Sequence, residues 1–152
     1  MNFNIRRFKK KDSKEVSNLI FKIFEEFNAK GLPKRSIQFF MEKYSEKEIS
    51  EKWIKDYVII VEDKNKIIAI GRAKKNGWIT HCYVDKDYMN EGIGKVVMYR
   101  LENWLKRTRN RKILLNSSPY ALGFYKSLEY KPRGRKKSHH GIQMYPMEKW
   151  LN

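Results

Sequence analysis

An α+β fold, with a mixed and mostly antiparallel sheet flanked by helices, is the architecture this 152-residue chain predicts. Three observations carry that expectation. Apolar residues recur at helical spacing between Val16 and Ile54. Dense β-branched runs then alternate with polar turns from Tyr57 to Val84. Beyond them, an apolar helix opened by glycines and a second aromatic one are each followed by short strands.

Taken in order, Asn4-Ile5-Arg6-Arg7-Phe8 alternates as a first strand should. Asp12-Ser13 offers an N-cap to a helix whose apolar face is Val16, Leu19, Ile20, Ile23, Phe24 and Phe27. Gly31-Leu32-Pro33 breaks it, and a second helical region places Ile37, Phe40, Met41 and Tyr44 on one face. Ser45-Glu46-Lys47-Glu48 restarts the helix with Ile49, Trp53 and Ile54. Tyr57 to Glu62 is a buried-type strand, and Asp63-Lys64-Asn65-Lys66 turns into a second, Ile67 to Ala73. A turn around Lys75-Asn76-Gly77 starts the strand Gly77 to Val84. The expected remainder is a helix from about Gly92 to Arg107, a strand Lys112 to Asn116, and a helix near Tyr120 to Leu128. Two closing strands, around Lys131-Pro132-Arg133 and Gly141 to Met147, enclose an exposed basic loop, Arg133 to Lys137. No repeat, linker or low-complexity tract interrupts the chain, so residues 1–152 are expected to form one domain.

The segment most informative about chemistry is Tyr83 to Tyr99. A strand end, Tyr83-Val84, leads through a polar turn to Asn90-Glu91-Gly92-Ile93-Gly94-Lys95 and an apolar helix. Glycines spaced this way let main chain approach a ligand where a Cβ would block it. The first N–H groups of a helix lack internal partners and, with the helix dipole, suit an anion such as a pyrophosphate. By itself a Gly-x-Gly pair is more often a tight turn, and the absence of a Gly-x-x-x-x-Gly-Lys-Ser/Thr pattern argues against an ATPase.

The strand end Cys82-Tyr83-Val84, the loop ending in Gly92-Ile93-Gly94, the strand Ile113-Leu114-Leu115-Asn116 and the run Ala121-Leu122-Gly123-Phe124-Tyr125 occur in one order. Together they resemble the GNAT family, the Gcn5-related N-acetyltransferases, sharply from Gly77 to Tyr130 and loosely from Ile5 to Trp150. Three residues depart from the family pattern. Met89 stands where Arg or Gln is usual, Glu129 where Gly is usual, and Ser118 where many members carry Asn.

The resemblance implies acetyl-CoA as acyl donor and an amine, of a small molecule or a protein, as acceptor. It also implies a splay between two central parallel strands, here those ending at Val84 and Asn116, into which the pantetheine arm fits. Cys82, Tyr83 and Val84 are then expected to meet pantetheine and the acetyl group through main chain. Met89, Asn90, Glu91, Gly92, Ile93, Gly94 and Lys95 are expected to hold the pyrophosphate, mainly through N–H groups. The Lys95 side chain either adds charge there or is simply solvated. Asn116 and Ser118 either hydrogen-bond the cofactor or serve the turn and helix cap. Tyr125 matches the position at which a tyrosine protonates the leaving thiolate. A phenol with a pKa of roughly 10 is wholly in its acid form at neutral pH. No carboxylate lies between Trp78 and Tyr83, so the general base is open: His81, whose ordinary pKa is near 6.5, or a water chain, with a buried structural histidine the alternative for His81. His139 and His140 are placed toward the acceptor side.

The bulk numbers set outer limits. There is one cysteine, Cys82, so no internal disulfide can form and no cysteine cluster can bind metal; a reducing, cytoplasmic setting is expected. No apolar stretch approaches the roughly 18 residues of a membrane span, and no membrane partner is expected. The formal charge of +17 has three readings: solvated surface, capture of an anionic cofactor, or an acidic partner. A catalytically silent module of this fold that binds nucleic acid is therefore the alternative to an enzyme. Oligomeric state, a homodimer included, is open.

Overall fold

The computed structural model describes residues 3–151; residues 1, 2 and 152, the ends of the predicted domain, lie outside the described residues. Strands β1 (Asn4–Arg7), β2 (Tyr57–Asp63), β3 (Lys66–Ala73) and β4 (Ile79–Val84) form an antiparallel sheet in that order. The β2–β3 hairpin turns on Lys64 and Asn65 at φ 51° and 67°, the geometry of a two-residue type I′ turn. Helices α1 (Ser13–Phe27), α2 (Lys34–Lys43) and α3 (Glu46–Lys52) are inserted between β1 and β2. They cover one face of the sheet, where Ile20, Phe24, Phe40 and Trp53 meet Val58, Ile60 and Ile70. On the opposite face α4 (Ile93–Arg107) packs Val97, Leu101 and Leu105 against Ile59, Val61 and Ile68. Alternate residues of β2 thus feed two cores, which explains its uninterrupted apolar run.

A second sheet follows: β5 (Lys112–Ser117), β6 (Lys131–Pro132), β7 (Lys137–His139) and β8 (Ile142–Trp150), with α5 (Leu122–Ser127) between β5 and β6. Its order is β5-β8-β6, and β7 pairs with the start of β8. The two sheets meet where β4 and β5 begin. Trp78 bridges Leu114 in parallel, and the Leu114 amide donates to the Gly77 carbonyl (3.0 Å). No further pairing between these strands follows among the described residues, so a splay opens toward Val84 and Ser117. The predicted α+β fold with its splayed parallel pair is the observed one.

Local differences have physical causes. The Asp12 carboxylate does not cap α1; it accepts from the Lys9 amide (2.7 Å) and pairs with Arg6 (2.9 Å), closing a 3-10 turn ahead of the helix. Arg6 also pairs with Glu62 (2.9 Å), tying β1 and β2 to the start of α1. Three closing strands replace the expected two, because Lys137 leaves the basic loop to begin β7. That strand is exposed throughout and carries no apolar alternation. It is held by pairing to β8 across a turn in which His140 and Gly141 have φ 51° and 81°. Among the described residues, no helix is long and apolar enough to cross a membrane.

Candidate active site

The glycine turn after β4 has the geometry of an anion cradle. Asn90 and Gly92 both take positive φ (65° and 81°), swinging the chain so that α4 starts at Ile93. The first internal bond of the helix runs from Val96 to the Gly92 carbonyl (3.1 Å), leaving the amides of Ile93, Gly94 and Lys95 for a ligand. Gly94 lies in close contact with α5: a Cβ there would be 3.2 Å from the Phe124 ring, which would have to give by a few tenths of an ångström.

Two hollows meet beside this turn. One, of about 590 Å³, is lined by Cys82, Val84, Met89, Asn90, Gly92, Ile93, Gly94 and Lys95 from the predicted set. Tyr88, Tyr120, Ala121, Phe124, Ser127 and Leu128, which the sequence did not assign to the site, complete it with Tyr125. Glu91 is exposed and does not line it. The other hollow, of about 250 Å³, takes Tyr83, Asn116 and Ser118, together with Trp78 and rings from α1 and α2. His139 borders it, whereas His140 stacks on Phe39 of α2 at 3.6 Å between ring centroids. Strand alternation explains the division: Cys82 and Val84 face α4 while His81 and Tyr83 face the first three helices. Four residues border both hollows: Cys82, Tyr120, Ala121 and Tyr125.

Tyr125 is 8% exposed. Burial, with added repulsion from Cys82, Tyr83 and Tyr120, holds its hydroxyl well above the usual phenol value, so it stays protonated. Its ring packs edge-on against Tyr130 (5.9 Å), whose hydroxyl donates to Glu102 of α4 (2.6 Å). The end of α5 fixes this pair: Glu129 donates to the Lys126 carbonyl (3.0 Å) and Tyr130 to the Tyr125 carbonyl (3.1 Å). That is a Schellman clasp, and Glu129 fills its left-handed position at φ 72°, where glycine fits without strain. Glu129→Gly is accordingly expected to raise unfolding stability by about 1 kcal/mol, read by urea titration. A lower stability would mean that the glutamate side chain holds the turn.

His81 borders neither of the two hollows. It lies in an adjoining one with Arg72 and Trp53, 3% exposed, its Nδ1 2.9 Å from Thr80 Oγ1 and its Nε2 without a partner among the described residues. Burial, reinforced by the charges of Arg72, Lys43 and Lys74, holds the imidazole well below its ordinary value and hence neutral. Because the folded value is depressed, the unfolded chain binds a proton first as pH falls through about 6.5. Stability should therefore decline below that point, by at most one proton per molecule, and His81→Phe should remove this part of the slope in urea melts at pH 7.5 and 5.5. Equal slopes in both proteins would contradict the placement. Burial also pushes the Cys82 thiol up to about 12, which leaves it unreactive as a nucleophile.

The family profile described as the acetyltransferase (GNAT) domain matches residues 24–151. The chain belongs to the GNAT acetyltransferase family. Solved GNAT structures share its fold over nearly the whole length. A GCN5-related N-acetyltransferase from Rhodopseudomonas palustris superposes with a TM-score of 0.86 at 15% identity, covering 99% of this chain and 97% of that one. The PaiA N-acetyltransferase of Thermoplasma acidophilum, solved with coenzyme A, gives 0.86 at 16% identity, covering 99% and 100%. Ard1 from Thermoplasma volcanium gives 0.73 at 13% identity, covering 100% and 99%. A search of curated sequences finds no match. Within this GNAT chain, no group of three or more His, Cys, Asp or Glu among the described residues is arranged to hold a metal.

Proposed function

We propose that this GNAT protein transfers the acetyl group of acetyl-CoA directly to an amine, with Tyr125 as the general acid. The observation that supports the reading is the position of Tyr125 on the border between the glycine-turn hollow and the aromatic one. A donor held by the first hollow and an acceptor in the second would meet beside its hydroxyl. The residues present fit the donor. Three helix N–H groups follow a left-handed glycine, and both sheet edges at the splay are free to pair with an extended arm. Met89 does not weaken this, because main-chain donors carry the pyrophosphate.

Bound acetyl-CoA supplies an activated thioester. The chain does the rest. The amides of Ile93, Gly94 and Lys95 neutralise the diphosphate, and Lys95, exposed at the first turn of α4, adds charge. Open main-chain groups of Cys82 and Val84 orient the arm. As the amine nitrogen bonds to the carbonyl carbon and the carbon–sulfur bond breaks, Tyr125 gives its proton to the departing sulfur. The proton shed by the nitrogen leaves through solvent in the acceptor hollow, and His81 acts structurally, since its ring borders neither hollow.

Thermal unfolding with acetyl-CoA tests the reading. At 100-fold over its dissociation constant the ligand should stabilise the protein by about 2.7 kcal/mol. No stabilisation, with salt-resistant binding of DNA or RNA instead, would favour a catalytically silent module.

A further inference from the structure

We infer that the acceptor is a small monoamine that also carries a carboxylate on an aromatic or apolar body, and that Lys43 selects it. The inference rests on the acetyl-transfer reading and goes further, to the class of substrate. Size is the first constraint. At about 250 Å³ the acceptor hollow is smaller than the roughly 300–1,000 Å³ of pockets for drug-sized ligands, and suits a molecule on the scale of one amino acid. Its walls are the second. Phe40, Tyr44, Trp78 and Tyr83 present ring surface, which favours a flat or apolar body.

Charge decides the rest. Among the described residues, no aspartate or glutamate lines the hollow, and Lys43 is its only lysine or arginine. An acceptor with several ammonium groups would have to bury the unreacted ones among rings with no counter-ion, at heavy cost. Lys43, exposed at the rim of the hollow, offers a cation to an anionic group. Its Nζ lies 5.5 Å from the Tyr44 ring and 5.9 Å from the Phe39 ring, both of which line the hollow. It forms no ion pair among the described residues. Carboxylates of the adjoining hollow are engaged elsewhere: Glu48 with Lys52 (2.8 Å) and Glu42 with the Gln38 amide (3.1 Å). Arg72 of that hollow is held by Asp56 (2.8 Å), while Lys74 adds positive charge to the Lys43 end. An anion on the acceptor would complete this cluster. Lys43 does not border the cofactor hollow, so the carboxylate would sit away from the thioester and leave the amine toward Tyr125. The positive wall also favours the neutral, nucleophilic form of that amine.

Matched acceptors test this. With saturating acetyl-CoA, thiol release is measured with L-phenylalanine, with phenethylamine (the same molecule without its carboxylate) and with spermidine. The expected order is amino acid first, by about tenfold or more in kcat/KM over phenethylamine, the worth of one charge-assisted bond, with spermidine last. Lys43→Ala should bring the first ratio near one, and Lys43→Glu should invert it. A wild-type preference for spermidine or phenethylamine, or a ratio unchanged in Lys43→Ala, overturns the inference while leaving acetyl transfer intact. Should none of the three turn over, the CoA complex is melted with N-acetyl-L-phenylalanine and with N-acetylphenethylamine. A larger shift with the acid supports the inference, and equal or absent shifts overturn it. Failure of acetyl-CoA itself to stabilise the protein would instead sink the transfer reading.

Discussion

Tyr125→Phe is expected to lower kcat for acetyl transfer by about 10²–10⁴-fold, the usual worth of a positioned general acid. The Michaelis constant for acetyl-CoA and the melting temperature should change little. The ring stays, and with it the edge-on contact to Tyr130 that the Schellman clasp and the Tyr130–Glu102 hydrogen bond hold in place. Only the proton is lost. Because burial holds the Tyr125 hydroxyl well above its ordinary value, wild-type kcat should show no loss from its ionisation up to about pH 10. Thiol release at saturating donor, measured from pH 6 to 10 in both proteins, checks the two statements together. A variant that keeps full activity across that range would remove Tyr125 from the chemistry.

Gly71→Ala should destabilise the protein by about 1–3 kcal/mol and also weaken binding of acetyl-CoA. A Cβ on Gly71 would lie 2.5 Å from Val97 Cγ1 and 3.1 Å from Leu101 Cδ1. Val97 is branched at its β-carbon and fully buried on α4, so it has no free rotamer to retreat into. The helix must move away from β3 instead. Since the first turn of α4 is the proposed cradle, displacing it shifts the Ile93, Gly94 and Lys95 amides relative to Cys82 and Val84. Gly123→Ala is the control, because its Cβ would meet nothing within 4 Å. Urea unfolding and a coenzyme A titration on both variants decide the matter. If Gly71→Ala behaves like Gly123→Ala, the close approach of β3 and α4 does not set the cradle.

The parts of this molecule legible in the sequence are those whose cause is local. Gly92 and Gly94 mark the turn of the proposed cradle, because a left-handed position favours glycine and a close helix contact favours a small residue. The pairs of apolar residues in β2 and β3 report sheet burial in the same direct way. Glu129 could be singled out as occupying a glycine position, but only the structure gives its φ and the clasp it closes. The β7 strand stayed hidden because Lys137-Ser138-His139 has no pattern of its own. The turn at His140-Gly141 was the available signal. The walls of the proposed acceptor hollow were invisible for a different reason. Phe40, Trp78 and Tyr83 come from separate elements, and nothing in a linear chain announces that their rings share one hollow. His81 illustrates the limit of residue type as a guide: a histidine beside the site in sequence, on the same strand face as Tyr83, borders the adjoining hollow with Arg72 and Trp53 instead.

The opening between β4 and β5 has a practical consequence. Two strand margins lie bare inside the protein, each able to template another extended segment if nothing fills the cleft. Without the proposed acyl carrier the molecule should self-associate through those margins on warming or prolonged storage. Purification in the presence of coenzyme A should keep it dispersed, and light scattering during a slow temperature ramp would register the difference.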